Sequence, residues 1–277
     1  ALFNDPFRGS PHKIVLCETQ NPGGSYLENS HRHWAKEQFD KKIEEKPLFG
    51  LEQEYFMIDP KTMKPLGFNE NGSQGQYYCS VGAENAFGRQ IAEEHLQACI
   101  DAELKISGIN AEVAPGQWEF QIGPCLGIEE GDHLWLARYL LLRVAEKHNV
   151  IIDFEPKPLH GDWNGSGCHA NYSTKNMRDG TDEKTGLDYI NEAIEKLGEK
   201  HKEHMDVYGK NNEQRMTGEH ETASFDKFSI GIANRGRSVR IGNSTLENKR
   251  GYFEDRRPSS NCDPYLVTGA IFKTTML

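Results

Sequence analysis

Residues Leu48 to Ile58 read LFGLEQEYFMI and residues Ile109 to Gly123 read INAEVAPGQWEFQIG. Both read as β-strands, and side chains alternate faces along a strand, so Glu52 and Glu54, two apart, project to one side. A turn centred on Pro115 and Gly116 folds the second stretch back on itself and pairs Ala114 with Gln117, Val113 with Trp118 and Glu112 with Glu119. Glutamate forms strands poorly and is costly to bury without a partner, and like charges facing each other across a ladder destabilise it. A single strand glutamate ordinarily faces solvent. Two aligned pairs flanked by Phe49, Phe56, Trp118 and Phe120 call instead for a cation between them. Oxygen ligands of this kind suit magnesium, manganese or calcium better than zinc, so the pattern predicts a metal site that handles phosphate.

Working outward, Lys13 to Glu18 also reads as a strand, and Ser30 is placed to cap a helix that runs to about Glu45 and ends before Pro47. Apolar spacing of three and four predicts further helices over Ala86–Ala102, Asp132–His148, Gly186–Met205 and Pro264–Met276. Strands are predicted at Lys105–Val113, Gln117–Ile122, Val150–Phe154, Cys168–Ser173, Phe228–Ala233, Ser238–Ile241 and Lys249–Arg256. Several of their connections are too short for a parallel crossover and require antiparallel pairing. The fold class is therefore α+β, and the absence of a long linker or repeat makes 1–277 one domain.

Lys+Arg 32 against Asp+Glu 42 gives a formal charge of -10, a field that opposes nucleic acid and anionic membranes, and no basic patch offsets it. The longest apolar stretch, Leu134 to Ala145, is broken by Arg138 and Arg143, which argues against a membrane span. Six cysteines show no paired CxxC spacing, as expected in a reducing compartment. The opening ALFNDPF is neither a signal peptide nor an initiator-methionine start, and points to processing or truncation upstream.

Three further segments carry candidate chemistry. In NGSGCHANYS, Asn164, Gly165 and Gly167 allow close backbone approach to a ligand, and His169 opens the strand that follows. NRGRSVRI supplies Arg235, Arg237 and Arg240. In GYFEDRRP, Glu254 and Arg256 share a strand face, which sets a metal ligand beside a phosphate-binding guanidinium.

Together with GDHLWLARY, RMTGEHET and GYFEDRRPSSNCDPY, these segments resemble glutamine synthetases of eukaryotic type, in the same order and through nearly the whole chain. The resemblance implies a curved, mostly antiparallel active-site sheet flanked by helices. It implies one divalent ion held by Glu54, Glu112 and Glu119 and another by Glu52, His169 and Glu254, with two or three Mg2+ or Mn2+ ions per site and ATP as co-substrate. Arg215 would bind the substrate α-carboxylate near Asn164 and Gly165; Arg235, Arg240 and Arg256 would grip phosphate; Asn171, Ser173, Arg178 and Tyr252 would surround the nucleotide. Glu221, in GEHETASFD, matches the flap glutamate that closes over an acyl phosphate and takes a proton from ammonium. The implied reaction makes glutamine from glutamate, ammonia and ATP, in a cytoplasmic or plastid homodecamer whose sites are shared between subunits.

Two departures stand out. Leu48 occupies a place where many members have tryptophan against the adenine, and nothing corresponds to the family's N-terminal β-grasp domain, which supplies an ammonium-binding aspartate. The alternatives are a non-catalytic structural relative or an inactive truncated form; a related ligase or phosphagen kinase fits the GEHET and NRGRSVRI segments less well.

Overall fold

A computed structural model describes residues 1–277. A short two-stranded sheet, β1 (Leu2–Asn4) and β2 (Lys13–Val15), precedes helix α1 (His31–Asp40) and a 3-10 turn at Ile43–Glu45. The long strand β3 (Leu48–Asp59) follows, with β4 (Lys64–Pro65), α2 (Arg89–Asp101), β5 (Ile106–Ala111), β6 (Gln117–Leu126), α3 (Ile128–Lys147), β7 (Ile151–Asp153) and β8 (Cys168–Ser173). The chain ends through α4 (Lys175–Asp179), α5 (Gly186–Glu199), α6 (His201–Met205), β9 (Ile230–Ile232), β10 (Val239–Ile241), α7 (Asn243–Asn248), β11 (Phe253–Asp255) and α8 (Pro264–Met276).

One nine-stranded sheet runs β5-β6-β3-β8-β11-β10-β9, with β4 and β7 paired to the far end of β3. It is open and mostly antiparallel, as expected for the α+β class. The exception is β9 with β10, which pair in parallel although only a short loop joins them. That loop turns on Ala233, whose positive φ of 47° lets its N–H donate to Ile241 O at 2.9 Å. The expectation of antiparallel pairing fails there because residues 233–238 carry the chain back to the start of β9 without a crossover helix.

Period-two alternation divides β3 between two surfaces. Leu51, Gln53, Tyr55 and Met57 point into the core, while Glu52 and Glu54 point to the opposite face. Helices α3 and α2 pack on the sheet, α8 and α1 pack on α3 and on each other, and 46 buried residues contributed by helices and sheet form a continuous cluster. At roughly 25 cal/mol per Å2 of apolar surface, such a core is the dominant favourable term that holds the acid-bearing strands in place.

Of the two arginines that break the apolar stretch Leu134 to Ala145, Arg143 is partly exposed and Arg138 is not. Arg138 of α3 is instead buried beneath β3, where Nε and Nη2 donate to Gln53 Oε1 at 2.8 and 2.6 Å and Nη1 and Nη2 donate to the carbonyls of Cys262 and Ser260. Among the caps, Asp263 accepts from Tyr265 N–H with Pro264 at the first helical position, and Thr185 and Asp188 cap α5 reciprocally. Ser30 does not behave as expected: it sits at the N-cap of α1, but its side chain makes no cap hydrogen bond, and the helix stops at Asp40. The predicted helix 186–205 is likewise two helices, broken at Lys200. No helix is long and apolar enough to cross a membrane.

Candidate active site

The sheet registers lay the polar residues in a diagonal stripe across one face. Asn110 of β5 opposes Glu119 of β6, and Glu119 opposes Glu54 of β3. Glu52 lies between Gln121 and His169; Glu254 of β11 lies between Asn171 and Arg240. Glu254 and Arg256 share a face as expected, and Arg256 Nη1 donates to Glu254 Oε1 at 2.7 Å.

One register differs from the sequence expectation. Glu112 N–H donates to Gln117 O at 2.8 Å, and Asn110 rather than Glu112 faces Glu119. The loop is wider than a two-residue turn because Gly116 is pressed onto another segment. Its carbonyl accepts from Met57 N–H at 2.8 Å, and a Cβ there would lie 2.8 Å from Leu66 N and 2.9 Å from Leu66 O. Glu112 keeps the stripe's face as a diagonal neighbour of Glu119, where its carboxylate accepts from Asn110 Nδ2 and Val113 N–H at 3.0 and 3.2 Å.

Glu52, Glu54, Glu112 and Glu119 line a cavity with His169, Asn164, Gly165, Glu221 and the four arginines Arg215, Arg235, Arg240 and Arg256. Donor atoms of Glu52, His169 and Glu254 lie within 4.8 Å of one another, and so do those of Glu54, Glu119 and His169. Glu112 belongs to neither tight group, so the trio expected around the first ion is gathered only in part.

Burial makes this crowding costly. It pushes the Glu54 carboxyl up to about 7 against the Gly167 N–H bond at 2.7 Å, and burial together with Glu54 pushes Glu112 up to about 8. Glu119 rises well above the usual carboxylate range through burial and then its neighbours Glu52 and Glu54. His169 is driven well below its ordinary value by burial and then by Arg256. One oxygen is left over: Arg240 Nε approaches Glu254 Oε2 to 2.5 Å without hydrogen-bond alignment, and Oε2 is buried with no hydrogen-bond partner. A site of carboxylate oxygens and one neutral imidazole, short of positive charge at its centre, fits a hard divalent cation.

The glycines of NGSGCH make room for protein groups. A Cβ on Gly165 would lie 2.6 Å from Arg215 Cγ, and one on Gly167 would lie 2.9 Å from His169 Nε2. Arg215 is buried, with Nη2 donating to the carbonyls of Arg256, Arg257 and Pro258 at 3.1, 2.8 and 3.2 Å. These bonds leave its Nη1 for the cavity. Arg256 reaches the Arg235 and Glu221 carbonyls, and Arg235 lies 3.5 Å from the Glu221 carboxylate.

A second depression opens along the same strands and shares Glu52 with the first. Its walls include Leu48 to Leu51, Gly123, Pro124 and the predicted nucleotide residues Asn171, Ser173, Arg178 and Tyr252. Asn171 Nδ2 also donates to Glu52 Oε1 at 2.7 Å, and Arg178 Nη1 donates to Ser173 Oγ at 2.8 Å. Sequence reasoning missed Tyr78, Asn110, His220 and Thr222 in the first cavity and Gln121 in the second. Asn110 and Gln121 were within reach of the same alternation that exposed Glu112 and Glu119.

A sheet-borne cavity in which carboxylates, one histidine and several arginines converge has the chemistry to hold a divalent cation beside a phosphate. The chain is a member of the glutamine synthetase family: residues 28–277 match the family profile described as glutamine synthetase, catalytic domain. It is 51% identical to a chloroplastic glutamine synthetase of Daucus carota over all of this chain and 64% of that protein. A glutamine synthetase of Agaricus bisporus is 52% identical, and a cytosolic glutamine synthetase isozyme of Pinus sylvestris 50%, each over all of this chain and 78% of the relative. The chain thus spans under two thirds of the length of the carrot relative.

Proposed function

We propose that the chain carries the catalytic domain of a glutamate–ammonia ligase that makes glutamine through a γ-glutamyl phosphate, with residues 1–277 as one domain of a longer working enzyme. The observation that carries this reading is the meeting of the acid groups with Arg215, Arg235, Arg240 and Arg256 around one cavity. Family membership and relatives printed as glutamine synthetases support it.

In this reading Glu52, His169 and Glu254 hold one Mg2+ or Mn2+, and Glu54 and Glu119 hold another with Glu112 beside them. Such ions supply charge neutralisation on phosphate oxygens. ATP lies in the second depression against Asn171, Ser173, Arg178 and Tyr252, and its terminal phosphate points past Glu52. Glutamate is held at its α-carboxylate by Arg215, with Asn164 and Gly165 at its amino-acid end. Its γ-carboxylate attacks the terminal phosphorus, ADP leaves, and Arg235, Arg240 and Arg256 share the migrating charge. Glu221, on the segment roofing the cavity, takes a proton as ammonium becomes the attacking ammonia, and ammonia displaces phosphate.

The proposal extends to a homodecamer with shared sites and to a cytoplasmic location, with plastid as the variant; relatives printed as cytosolic and chloroplastic support both compartments. Glutamate labelled with 18O in its γ-carboxylate tests the chemistry. One labelled oxygen should appear in the released phosphate for each glutamine formed, and unlabelled phosphate would overturn the acyl phosphate.

A further inference from the structure

Glu130, in the first turn of α3, is fully buried and lies on the core side of the sheet, away from the cavity of acids. The ladder of β3 with β6 is irregular at this point: Phe49 pairs with Cys125 but Leu51 pairs with Ile122, so Gly123 and Pro124 bulge out of register. A bulge removes a regular backbone acceptor, and a buried N–H left without one is costly. Leu51 N–H is rescued by a side chain, donating to Glu130 Oε1 at 3.1 Å. Gly123 supplies the space, since a Cβ there would lie 2.6 Å from Phe49 O, 2.8 Å from Gly50 Cα and 3.0 Å from Glu130 Oε2. The second oxygen, Oε2, has no hydrogen-bond partner. Burial pushes this carboxyl well above the usual range, which favours its neutral form.

The backbone that Glu130 holds is the floor of the second depression: Phe49, Gly50, Leu51, Gly123 and Pro124 all line it, and Leu51 leads directly into Glu52. An apolar side chain of similar volume would pack in the core at lower cost but could not accept from Leu51. We propose that Glu130 is a positioning residue for the nucleotide: by accepting the Leu51 N–H through the β6 bulge, it fixes the floor against which the nucleotide rests, without touching the nucleotide itself. This inference rests on the nucleotide reading of that depression.

The test is calorimetric titration of the full chain with Mg2+-ADP, in the wild type and in Glu130→Met, Glu130→Gln and Leu48→Arg, at a temperature where circular dichroism shows each variant folded. Glu130→Met should weaken Mg2+-ADP about tenfold, the factor expected if the unsupported floor holds its binding arrangement only about a tenth of the time. Glu130→Gln, which keeps an acceptor, should stay within about twofold of wild type, and manganese affinity measured without nucleotide should change far less than Mg2+-ADP affinity in either variant. Wild-type Mg2+-ADP affinity in Glu130→Met, or equal losses in Met and Gln variants, or equal losses of metal and nucleotide, would overturn the positioning role. Leu48→Arg separates the two readings: if a guanidinium thrust into the depression leaves Mg2+-ADP affinity intact, the nucleotide is elsewhere and the underlying reading falls first.

Discussion

Glu54 and Glu119 stand directly opposite each other on β3 and β6, both buried, with donor oxygens close enough to share one ion with His169. Two carboxylates in that relation repel unless a proton or a cation lies between them, which makes metal, proton and stability three readings of one arrangement.

Removing one member of the pair should separate stability from binding. Glu119→Gln relieves the repulsion and should raise the melting temperature of metal-free protein at pH 8. The same change should weaken Mn2+ about tenfold or more by calorimetry. Glu112→Gln, whose carboxylate lies outside both tight donor groups, should weaken Mn2+ less. Equal effects of the two substitutions would show that Glu112 is as close a ligand as Glu119.

The acids also fix a pH dependence. Folding raises Glu54 to about 7 and Glu112 to about 8 from ordinary values near 4.5, so between those limits the folded state binds more protons than the unfolded. Stability of the metal-free protein from these groups is therefore full below about pH 4.5 and is lost as pH rises through 7 and 8, an effect on the order of a few kcal/mol. Saturating Mn2+ should flatten the slope, because the ion displaces those protons and the folded state then binds no more of them than the unfolded. Urea unfolding from pH 5 to 8 with and without Mn2+ measures both; a metal-free stability that rises steadily over that range would contradict the assignment.

Arg256→Ala removes a guanidinium held by the Arg235 carbonyl and the Glu254 carboxylate. In the proposed reaction the loss should fall on kcat, by about a hundredfold or more, with a smaller change in the KM for glutamate. Steady-state kinetics with wild-type turnover would remove Arg256 from the phosphoryl-binding set.

Glu221→Ala should uncouple the two half-reactions. Glu221 and the preceding His220 both adopt positive φ, 60° and 51°, a costly conformation for consecutive residues with side chains, so the segment is held rather than relaxed. Phosphate release is expected to continue while glutamine formation falls. Tight coupling in that variant would assign the proton step to another group.

Behind the stripe, Arg257 and Asp255 are fully buried and joined by paired hydrogen bonds of 2.8 and 2.7 Å, on the side of β11 opposite Glu254 and Arg256. Asp255→Asn should cost about 3–5 kcal/mol by leaving the guanidinium uncompensated, read as a drop in the denaturation midpoint. An unchanged midpoint would show the pair to be dispensable for the fold.

What was legible in the sequence follows from how local each determinant is. The shared face of Glu52 and Glu54, and of Glu254 and Arg256, follows from strand periodicity within one segment and was legible directly. The opposition of Glu54 to Glu119 was not, because it depends on pairing between distant strands, and the turn widened at the Gly116–Met57 contact hid that Asn110 rather than Glu112 faces Glu119 from β5. Arg138 reads as a polar interruption of an apolar stretch, and Glu130 falls before the predicted start of its helix; the burial of both is decided by acceptors and donors on β3 that no helical pattern reveals. The parallel β9–β10 pair was hidden for a similar reason, since the loop 233–238 returns the chain without the long crossover that sequence spacing leads one to seek.

The most direct test is a crystal structure of the chain grown with Mn2+ and ADP, with data collected at the manganese absorption edge. Anomalous peaks are predicted within ligand distance of Glu52, His169 and Glu254 and within ligand distance of Glu54 and Glu119. Peaks elsewhere, or none at either group of acids, would contradict the claim that this face of the sheet is built to hold divalent ions.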